Sequence, residues 1–320
     1  MKFRTLASCL GFLLASATVG AQEAKIPRIG YIMDRGPTLF EDAFLVGLRE
    51  HGWVVGQNIA IDYRWSGGKS EQLPALAADL VARKVDVIVT AGTTTKIVKS
   101  VTATVPIVMA SSQNPVVDGL VASLAHPGGN VTGRSGYVTE LTSKRIELLK
   151  QVVPGLSRIA VLWNTRNTTG TTQAQEAEIA GHPLGIAIHS IDVRIPDSLD
   201  SAVERAAEAG AGAVLILSDT ATITHSSRIA AAVQRHRLPT MFSNKAYLAG
   251  GGLMSYGPDL AETYRLSAAY VDKILKGAKP GDLPVTQPTH FELAINLRAA
   301  KAIGLEIPPT VLAFANEVIE

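Results

Sequence analysis

Short apolar runs alternate with amphipathic segments along almost the whole chain, and this alternation limits the possible folds more than any other feature. Arg28–Met33 and Val85–Thr90 are rich in apolar and β-branched residues, which is typical of buried strands. Between them, Phe40, Phe44 and Leu48 recur at helical spacing and predict an amphipathic helix. Strands that alternate with helices predict an α/β fold in which helices cover both faces of parallel sheets.

The alternation runs through two successive series, each with about four or five predicted strands. The second series begins with a predicted helix at Lys144–Val153, and no long flexible linker separates it from the first. Extended segments near Gly133–Tyr137, Ser255–Pro258 and Thr286–Leu293 are predicted to cross between two similar lobes and to form a hinge. The predicted N-terminal lobe comprises residues 27–135 plus 257–286, and the C-terminal lobe comprises residues 136–256 plus 287–320. The other predicted strands are Asn58–Tyr63, Pro106–Ala110, Arg158–Trp163, Ile186–Val193, Ala213–Leu217 and Thr240–Phe242, with extended pieces at Asn130–Gly133 and Gly252–Tyr256.

The N-terminus has the pattern of a secretory signal peptide. Lys2 and Arg4 precede an apolar stretch at Leu6–Thr18, and the small residues Val19–Ala21 offer a cleavage site. We therefore expect residues 1–21 to be removed on export. The alternative, a first core helix, fits less well with the absence of acidic residues from this segment.

Cysteine content and charge exclude several classes of protein. Cys9 is the only cysteine and lies in the predicted signal peptide, so the mature chain has no disulfide, thiol nucleophile or cysteine metal site. The sequence around Cys9 resembles a lipoprotein box, but the apolar stretch mostly follows this cysteine, so we do not expect lipidation.

The chain has 30 Lys and Arg against 28 Asp and Glu, and loss of Lys2 and Arg4 leaves 28 of each sign. This balance does not indicate a nucleic-acid partner or an anionic membrane partner.

Polar residues follow nearly every predicted strand. Ligands of open parallel sheets bind beyond the carboxyl ends of the strands, so these residues are expected to line a cleft. The candidate ligand-binding residues are Asp34, Arg35, Thr93, Thr94, Thr95, Ser111, Ser112, Asn114, Asn164, Asp219 and Lys245.

Three threonines stand where the predicted strand at Val85–Thr90 gives way to a helix, in the stretch VIVTAGTTTKIVKS. A helix N-terminus carries free N–H groups and a partial positive charge. The hydroxyls of Thr93 and Thr94 could simply cap this helix. Alternatively, Thr93–Thr95 could hold the carboxylate of a ligand.

The other candidates also have two interpretations. Asp34 and Asp219 suit a ligand amino group, although Asp219 could equally cap the helix after it. Arg35 and Lys245 could pair with a ligand carboxylate or could be solvated loop charges. The two asparagines could bond to a ligand or shape turns, and Asn114 precedes a proline, which favours a turn.

The sequence lacks the local signatures of common enzymes. Neither a G-x-G-x-x-G motif after a strand nor a phosphate-binding P-loop is present, and the seven histidines form no H-E-x-x-H motif. Gly250–Gly252 precedes a strand instead of following one, and Ser255 is not in a G-x-S-x-G elbow. We therefore expect no enzyme, no cofactor and no metal site. Only a dispersed Ser-His-Asp set, whose members meet in the fold, escapes such a search.

Several segments resemble the ABC-transporter substrate-binding family that includes tryptophan- and tyrosine-binding lipoproteins. The segments cover nearly the whole mature chain, and their order and spacing are more specific than any one motif. Where the family often has Asp before Pro, this chain has the uncharged Asn114. The matching segments are VDVIVTAGTTTKIVKSVTATVPIVMASSQNPVVDGLVASLAHPGGNVTG, RIAVLWN, LPTMF, GGLMSYGPDL, KILKGAKPGDLPV and LAINLRAAKAIGLEIPPTVLAFANEVI.

The resemblance implies a type I periplasmic-binding fold, with two Rossmann-like lobes, three hinge crossings and a ligand between the lobes. It implies a periplasmic solute receptor that delivers a small metabolite, such as an amino acid or organic carboxylate, to an inner-membrane ABC permease. Thr93–Thr95 are then expected to bind the acidic end of the ligand. We expect a monomer. Two alternatives remain at this stage, namely a sensory module that presents its ligand to a receptor, and an exported α/β enzyme.

Overall fold

The structure is a computed structural model that describes residues 26–112, 114–136, 140–164, 168–194, 198–217 and 220–320. The predicted signal peptide, with Cys9, lies outside the described residues. Across the ranges that the structure describes, no helix is both long and apolar enough to cross a membrane.

The described residues form two β-sheets with helices around them. The strands are β1 (Arg28–Met33), β2 (Ala60–Trp65), β3 (Val87–Ala91), β4 (Ile107–Ser112), β5 (Val131–Ser135), β6 (Arg158–Asn164), β7 (Ala187–Val193), β8 (Ala213–Ile216), β9 (Thr240–Phe242), β10 (Met254–Gly257), β11 (Glu292–Asn296) and β12 (Glu317–Ile319). The helices are α1 (Leu39–Glu50), α2 (Leu73–Ala82), α3 (Thr94–Val101), α4 (Glu140–Val152), α5 (Thr168–Gly181), α6 (Leu199–Glu208), α7 (Thr220–Thr224), α8 (Ser226–Arg235), α9 (Leu260–Leu275), α10 (Leu297–Ile303) and α11 (Pro309–Leu312).

The first sheet has five parallel strands in the order β2-β1-β3-β4-β5. Successive side chains of a strand point to opposite faces, so each apolar strand supplies two cores. Tyr31 and Phe44 belong to the core under α1 and α9, while Ile88 and Leu80 belong to the core under α2 and α3. Both faces are therefore covered, as an all-parallel sheet requires.

The second sheet has seven strands in the order β12-β11-β10-β9-β8-β6-β7. The pair β10–β11 is antiparallel, and the other pairs of this sheet are parallel. One core contains residues of α4, α5, α10 and α11, and a second core on the other face contains residues of α6 and α8. The molecule therefore has two lobes with parallel-dominated sheets, which confirms the predicted fold class.

Three details of the strand prediction were wrong. The second sheet has seven strands instead of four or five, because β11 occupies part of the predicted crossing Thr286–Leu293 and β12 was not predicted. The second strand begins at Ala60, not at Asn58, because the Asn58 side chain closes a turn. In that turn, Val54 N donates to Asn58 Oδ1 at 2.7 Å, and Asn58 Nδ2 donates to Gly52 O at 2.8 Å.

The chain passes between the two sheets three times. It leaves the first sheet after β5, returns after β10 to place α9 beside α1, and leaves again before β11. The α1–α9 contact is very close at Gly47, since a Cβ there would lie 2.0 Å from the carbonyl oxygen of Arg265. This contact fixes α9 to the first lobe. The exact lobe boundaries remain a prediction.

Candidate functional site

The carboxyl ends of β1, β3 and β4 bring most first-lobe candidates to one edge of the sheet, because these strands are parallel neighbours. Asp34 directly follows β1, Thr93 stands two residues after β3, and Ser111 and Ser112 end β4. The loops after the two central strands are joined, since Gly92 N donates to Ser111 O at 2.8 Å.

The α3 N-terminus is built without a side-chain cap. Thr93 is the N-cap residue, but its own backbone is already helical and its hydroxyl makes no capping hydrogen bond. Its side chain is exposed, while Thr94 and Thr95 are buried. The Thr95 hydroxyl has no hydrogen-bond partner among the described residues. A buried hydroxyl without a partner costs about 1–3 kcal/mol. The capping interpretation therefore lacks its expected hydrogen bond, and the ligand interpretation stays a prediction.

The end of β4 is tied to the first crossing. Ser112 is buried, and its carbonyl accepts a hydrogen bond from Gly136 N at 2.6 Å. Asn114 Oδ1 accepts from Val117 N at 3.2 Å, and the Asn114 carbonyl accepts from Asp118 N at 2.9 Å. The side-chain oxygen of Asn114 therefore shapes the turn at Pro115, and turn formation is one of the two roles predicted for this residue.

Asp34 is a carboxylate that hydroxyl groups orient. Its Oδ2 accepts from Ser70 Oγ at 2.6 Å, and its Oδ1 accepts from Ser66 Oγ. No lysine, arginine or histidine of the described chain forms an ion pair with Asp34. A half-buried carboxylate at the end of β1 is therefore available to a cationic group.

Arg35, in contrast, already has an internal counter-ion. Its guanidinium bonds to Glu41 through Nη2 at 2.7 Å and Nη1 at 3.1 Å, and it lies against the rings of Phe40, Trp65 and Tyr264. Only 5% of Arg35 is exposed. Burial alone would raise the pKa of Glu41, but the bonds and charge of Arg35 lower it below its ordinary value. Most of the hydrogen-bonding capacity of this guanidinium is therefore used by Glu41 inside the first lobe.

In the second lobe, Asn164 is buried at the end of β6, and Asp219 lies outside the described residues. Lys245 forms ion pairs with three carboxylates. Its Nζ is 3.0 Å from Glu292, 3.1 Å from Asp259 and 3.8 Å from Glu317. Burial would lower the pKa of Lys245, but Glu292 and Asp259 raise it. Its charge is therefore balanced within the hinge region.

Sequence reasoning missed Arg145, a buried arginine on α4. Its Nε donates to Tyr256 O at 2.7 Å, and its Nη2 donates to Ser243 O at 3.4 Å. Burial lowers the pKa of Arg145 to about 10. A signal was present, because Arg145 stands three, four and seven residues before Leu148, Leu149 and Val152 and so shares the buried helix face.

Within the described residues, no group of three or more His, Cys, Asp or Glu side chains could hold a metal ion.

The charged groups of the candidate site fall into two sets. Among the residues that the structure describes, Arg35 and Lys245 have carboxylate partners, whereas Asp34 and Arg145 have no ion-pair partner. Short hydroxyl side chains at the strand ends of the first sheet, together with one such charge in each lobe, suit recognition of a small polar solute.

Comparison with known proteins gives a consistent family. The sequence model of the family described as ABC transporter substrate binding protein matches residues 35–319. A tyrosine-binding protein of Clostridioides difficile (strain R20291) is 26% identical over 267 residues, which cover 82% of this chain and 76% of that protein.

Solved structures with the same two-lobe fold include an ABC domain from Streptococcus pneumoniae in complex with L-Trp. It has a TM-score of 0.86 and 26% identity, and the match covers 92% of this chain and 99% of that chain. A conserved domain protein from Vibrio cholerae has a TM-score of 0.87 and 26% identity over 92% of this chain and 100% of that chain. A leucine-binding protein from Thermotoga maritima, with a TM-score of 0.54 and 14% identity over 80% of this chain and 78% of that chain, shares the fold alone.

The matching family and the tyrosine-binding relative are substrate-binding proteins and not enzymes, in agreement with the prediction. Since the family model spans nearly all of the described residues, the chain belongs to the ABC transporter substrate-binding protein family.

Proposed function

We propose that this protein is the periplasmic solute receptor of an ABC importer and that it binds an amino acid or a related small carboxylate between its lobes. In this proposal, residues 1–21 direct export and are removed, and the solute-bound form docks on an inner-membrane permease. Family membership supports the general role. The L-Trp complex of one relative and the name of the tyrosine-binding relative support the choice of solute.

The observation that carries the choice of solute is the distribution of unused polar groups at the strand ends. The α3 N-terminus presents an exposed Thr93 whose hydroxyl is not spent on capping, next to buried Thr94 and Thr95. A carboxylate is the natural occupant of such a helix end. Asp34 offers a carboxylate that has no cation partner among the described residues, which suits an ammonium group. Together these groups match the two charges of an amino acid.

The proposed contact set follows from these groups. Arg35 and Lys245 stay predictions of the sequence, but their charges are already balanced by internal carboxylates, so we assign them no direct contact. Closure of the lobes requires that the solute bind the closed form more tightly than the open form. The proposed contacts are Asp34, Thr93, Thr94, Thr95, Ser111, Ser112 and Asn114 from the first lobe, and Asn164 and Asp219 from the second.

A thermal-shift screen tests the proposal. The mature protein is heated with L-tyrosine, L-tryptophan, aliphatic amino acids, 4-hydroxybenzoate and neutral sugars in separate samples. A solute present at about 100 times its Kd stabilises the folded state by about 2.7 kcal/mol. We expect a rise in Tm with at least one carboxylate and none with the sugars. Stabilisation by sugars alone would contradict the proposed solute class.

The threonines are tested with a Thr95→Val variant. Removal of a buried hydroxyl that has no partner should leave the free protein as stable or more stable, since the cost of the unsatisfied group disappears. Binding of the carboxylate should weaken. The matched control is Thr310→Val, which changes an exposed threonine in the first turn of α11. If Thr95→Val and Thr310→Val bind the solute equally well, the Thr95 hydroxyl has no role in binding.

A further inference from the structure

The Arg145 guanidinium is buried, and no carboxylate of the described residues serves as its counter-ion. Only 9% of the residue is exposed, and its two hydrogen bonds go to the backbone carbonyls of Ser243 and Tyr256. No Asp or Glu of the described chain forms an ion pair with it, and its Nη1 donates no hydrogen bond to any described residue. Buried charges in proteins are normally paired, because an unpaired charge carries a large desolvation penalty. Arg35 follows that rule through Glu41, and Arg145 departs from it.

The two carbonyls that hold Arg145 locate it at the solute-binding edge of the second sheet. Ser243 directly follows β9, and Tyr256 is the next-to-last residue of β10. These strands are parallel neighbours, so their carboxyl ends lie at the same edge. The approach is tight, since a Cβ on Gly257 would lie 1.8 Å from Ser243 O and 3.2 Å from Arg145 Nη2. The guanidinium is thus fixed in place where a solute between the lobes would meet the second lobe.

The position of Arg145 also relates it to the first lobe. Its helix, α4, follows the first crossing, and that crossing begins at Gly136, whose N–H donates to Ser112 O at the end of β4. The unpaired cation therefore lies near the hinge, on the side of the molecule where the candidate residues of β4 also end. A guanidinium is well suited to this task, because it stays charged and its planar donor set leaves Nη1 for one oxygen of a carboxylate while Nε and Nη2 bond to the two carbonyls.

We propose that Arg145 is the second-lobe receptor for the carboxylate of the solute. This inference rests on the proposed function and adds a residue to it. The α3 N-terminus of the first lobe takes one oxygen of the carboxylate, and Arg145 takes the other as the lobes close. A contact that forms only in the closed form gives the solute its preference for that form. The solute also supplies the counter-ion that the described chain lacks.

Paired acids and amides test this assignment. Titration calorimetry measures the Kd of L-tryptophan against L-tryptophanamide, and of 4-hydroxybenzoate against 4-hydroxybenzamide, for the wild type, Arg145→Met and Arg145→Lys. Loss of a charged hydrogen bond should weaken binding of the acid by about 10–100-fold. Binding of the amide should change by less than about threefold, so the preference for the acid collapses. Arg145→Lys should restore part of the preference for the acid over the amide, because a lysine restores the positive charge without the planar donor set of a guanidinium.

The control and the contradicting results are specific. Arg228→Met removes a half-exposed arginine of the same lobe, which pairs with Asp200 on the surface, and should leave both affinities unchanged. If Arg145→Met folds and keeps the acid preference, the assignment is wrong. If it weakens acid and amide equally and lowers Tm, Arg145 only holds the two carbonyls in place, and the assignment is again wrong.

A second measurement does not depend on identifying the solute. The Tm of the free protein is measured in sodium acetate and in sodium chloride at equal ionic strength. If Arg145 receives carboxylates, acetate should raise Tm more than chloride does for the wild type and for Arg228→Met, but not for Arg145→Met. An acetate effect of equal size in wild type and Arg145→Met, or no acetate effect in the wild type, contradicts the assignment. Failure of every solute to bind would instead contradict the proposed function.

Discussion

Replacement of Glu41 by Gln isolates the charge of a buried carboxylate in the first lobe. Glu41 is 6% exposed and accepts hydrogen bonds from Tyr31 Oη at 2.7 Å, from the Arg35 guanidinium at 2.7 and 3.1 Å, and from Thr38 N at 2.6 Å. The last bond is half of the capping box that starts α1. Glutamine keeps the size of the side chain but cannot neutralise Arg35. The substitution therefore leaves a buried guanidinium without its counter-ion.

The expected loss of stability is large. Removal of one member of a buried ion pair costs about 3–5 kcal/mol, because the remaining charge stays buried and uncompensated. The surface pair of Glu262 with Arg265 provides the comparison, since both side chains are a third to a half exposed. An exposed pair contributes about 0–1 kcal/mol, so Glu262→Gln should cost little. The two substitutions change the same atoms, and their difference measures the effect of burial.

The pH dependence has a definite sign. The pKa of Glu41 is lowered in the folded protein, so the ionised carboxylate favours folding. This contribution is fully present above the pKa of the unfolded chain, which is near 4.5. It is lost as the pH falls through the lower pKa of the folded protein. The gap in stability between wild type and Glu41→Gln should thus be largest at neutral pH and shrink below about pH 4.

Urea unfolding followed by circular dichroism measures both effects. The free energies of unfolding of wild type, Glu41→Gln and Glu262→Gln are compared at pH 7 and at about pH 3, which lies below the pKa of the unfolded chain. We expect Glu41→Gln to lose several times more stability than Glu262→Gln at pH 7. A loss below about 1 kcal/mol for Glu41→Gln would refute the argument that the buried pair is tightly coupled.

Substitutions at two further positions test the contact between α1 and α9 and the ion pairs of Lys245. Gly47→Ala should destabilise the protein by about 3 kcal/mol or more, because the added Cβ would lie 2.0 Å from Arg265 O. Differential scanning calorimetry measures the effect, and an unchanged Tm would contradict this close approach. Lys245→Met should lower Tm and weaken solute binding, because Asp259 and Glu292 then face each other without a cation between them. Lys245→Arg should keep most of the Tm and most of the affinity for the solute, because the positive charge remains. Equal Tm values for Lys245→Met and the wild type would show that these ion pairs do not stabilise the hinge.

The parts of the fold that the sequence predicts well are those that local pattern determines. The strand Arg28–Met33 has the predicted bounds, because an apolar run defines it locally. The strands β11 and β12 were missed, since they are short and depend on neighbours. β11 pairs with β10, and β12 pairs only with β11.

The candidate site shows the same limit. The polar strand ends could be predicted, because parallel topology brings them to one edge. Whether each charged group already has a counter-ion could not be predicted, since that depends on partners distant in the sequence. Lys245 meets Asp259, Glu292 and Glu317 only in the folded chain, and Arg35 meets Glu41 through the turn between β1 and α1. The burial of Arg145 could be read from helical spacing, but its lack of a counter-ion could not.

The most direct test of the account is the distance between the lobes with and without a solute. Residues 22–320 contain no cysteine, so spin labels can be attached to this part of the chain at Ala75→Cys on α2 and Glu204→Cys on α6, which are both exposed. Pulsed electron paramagnetic resonance then gives the distribution of distances between the two labels. The account predicts a shorter and narrower distribution at saturation with the carboxylate that raises Tm most. An unchanged distribution with the solute bound would contradict closure of the lobes on a solute between them.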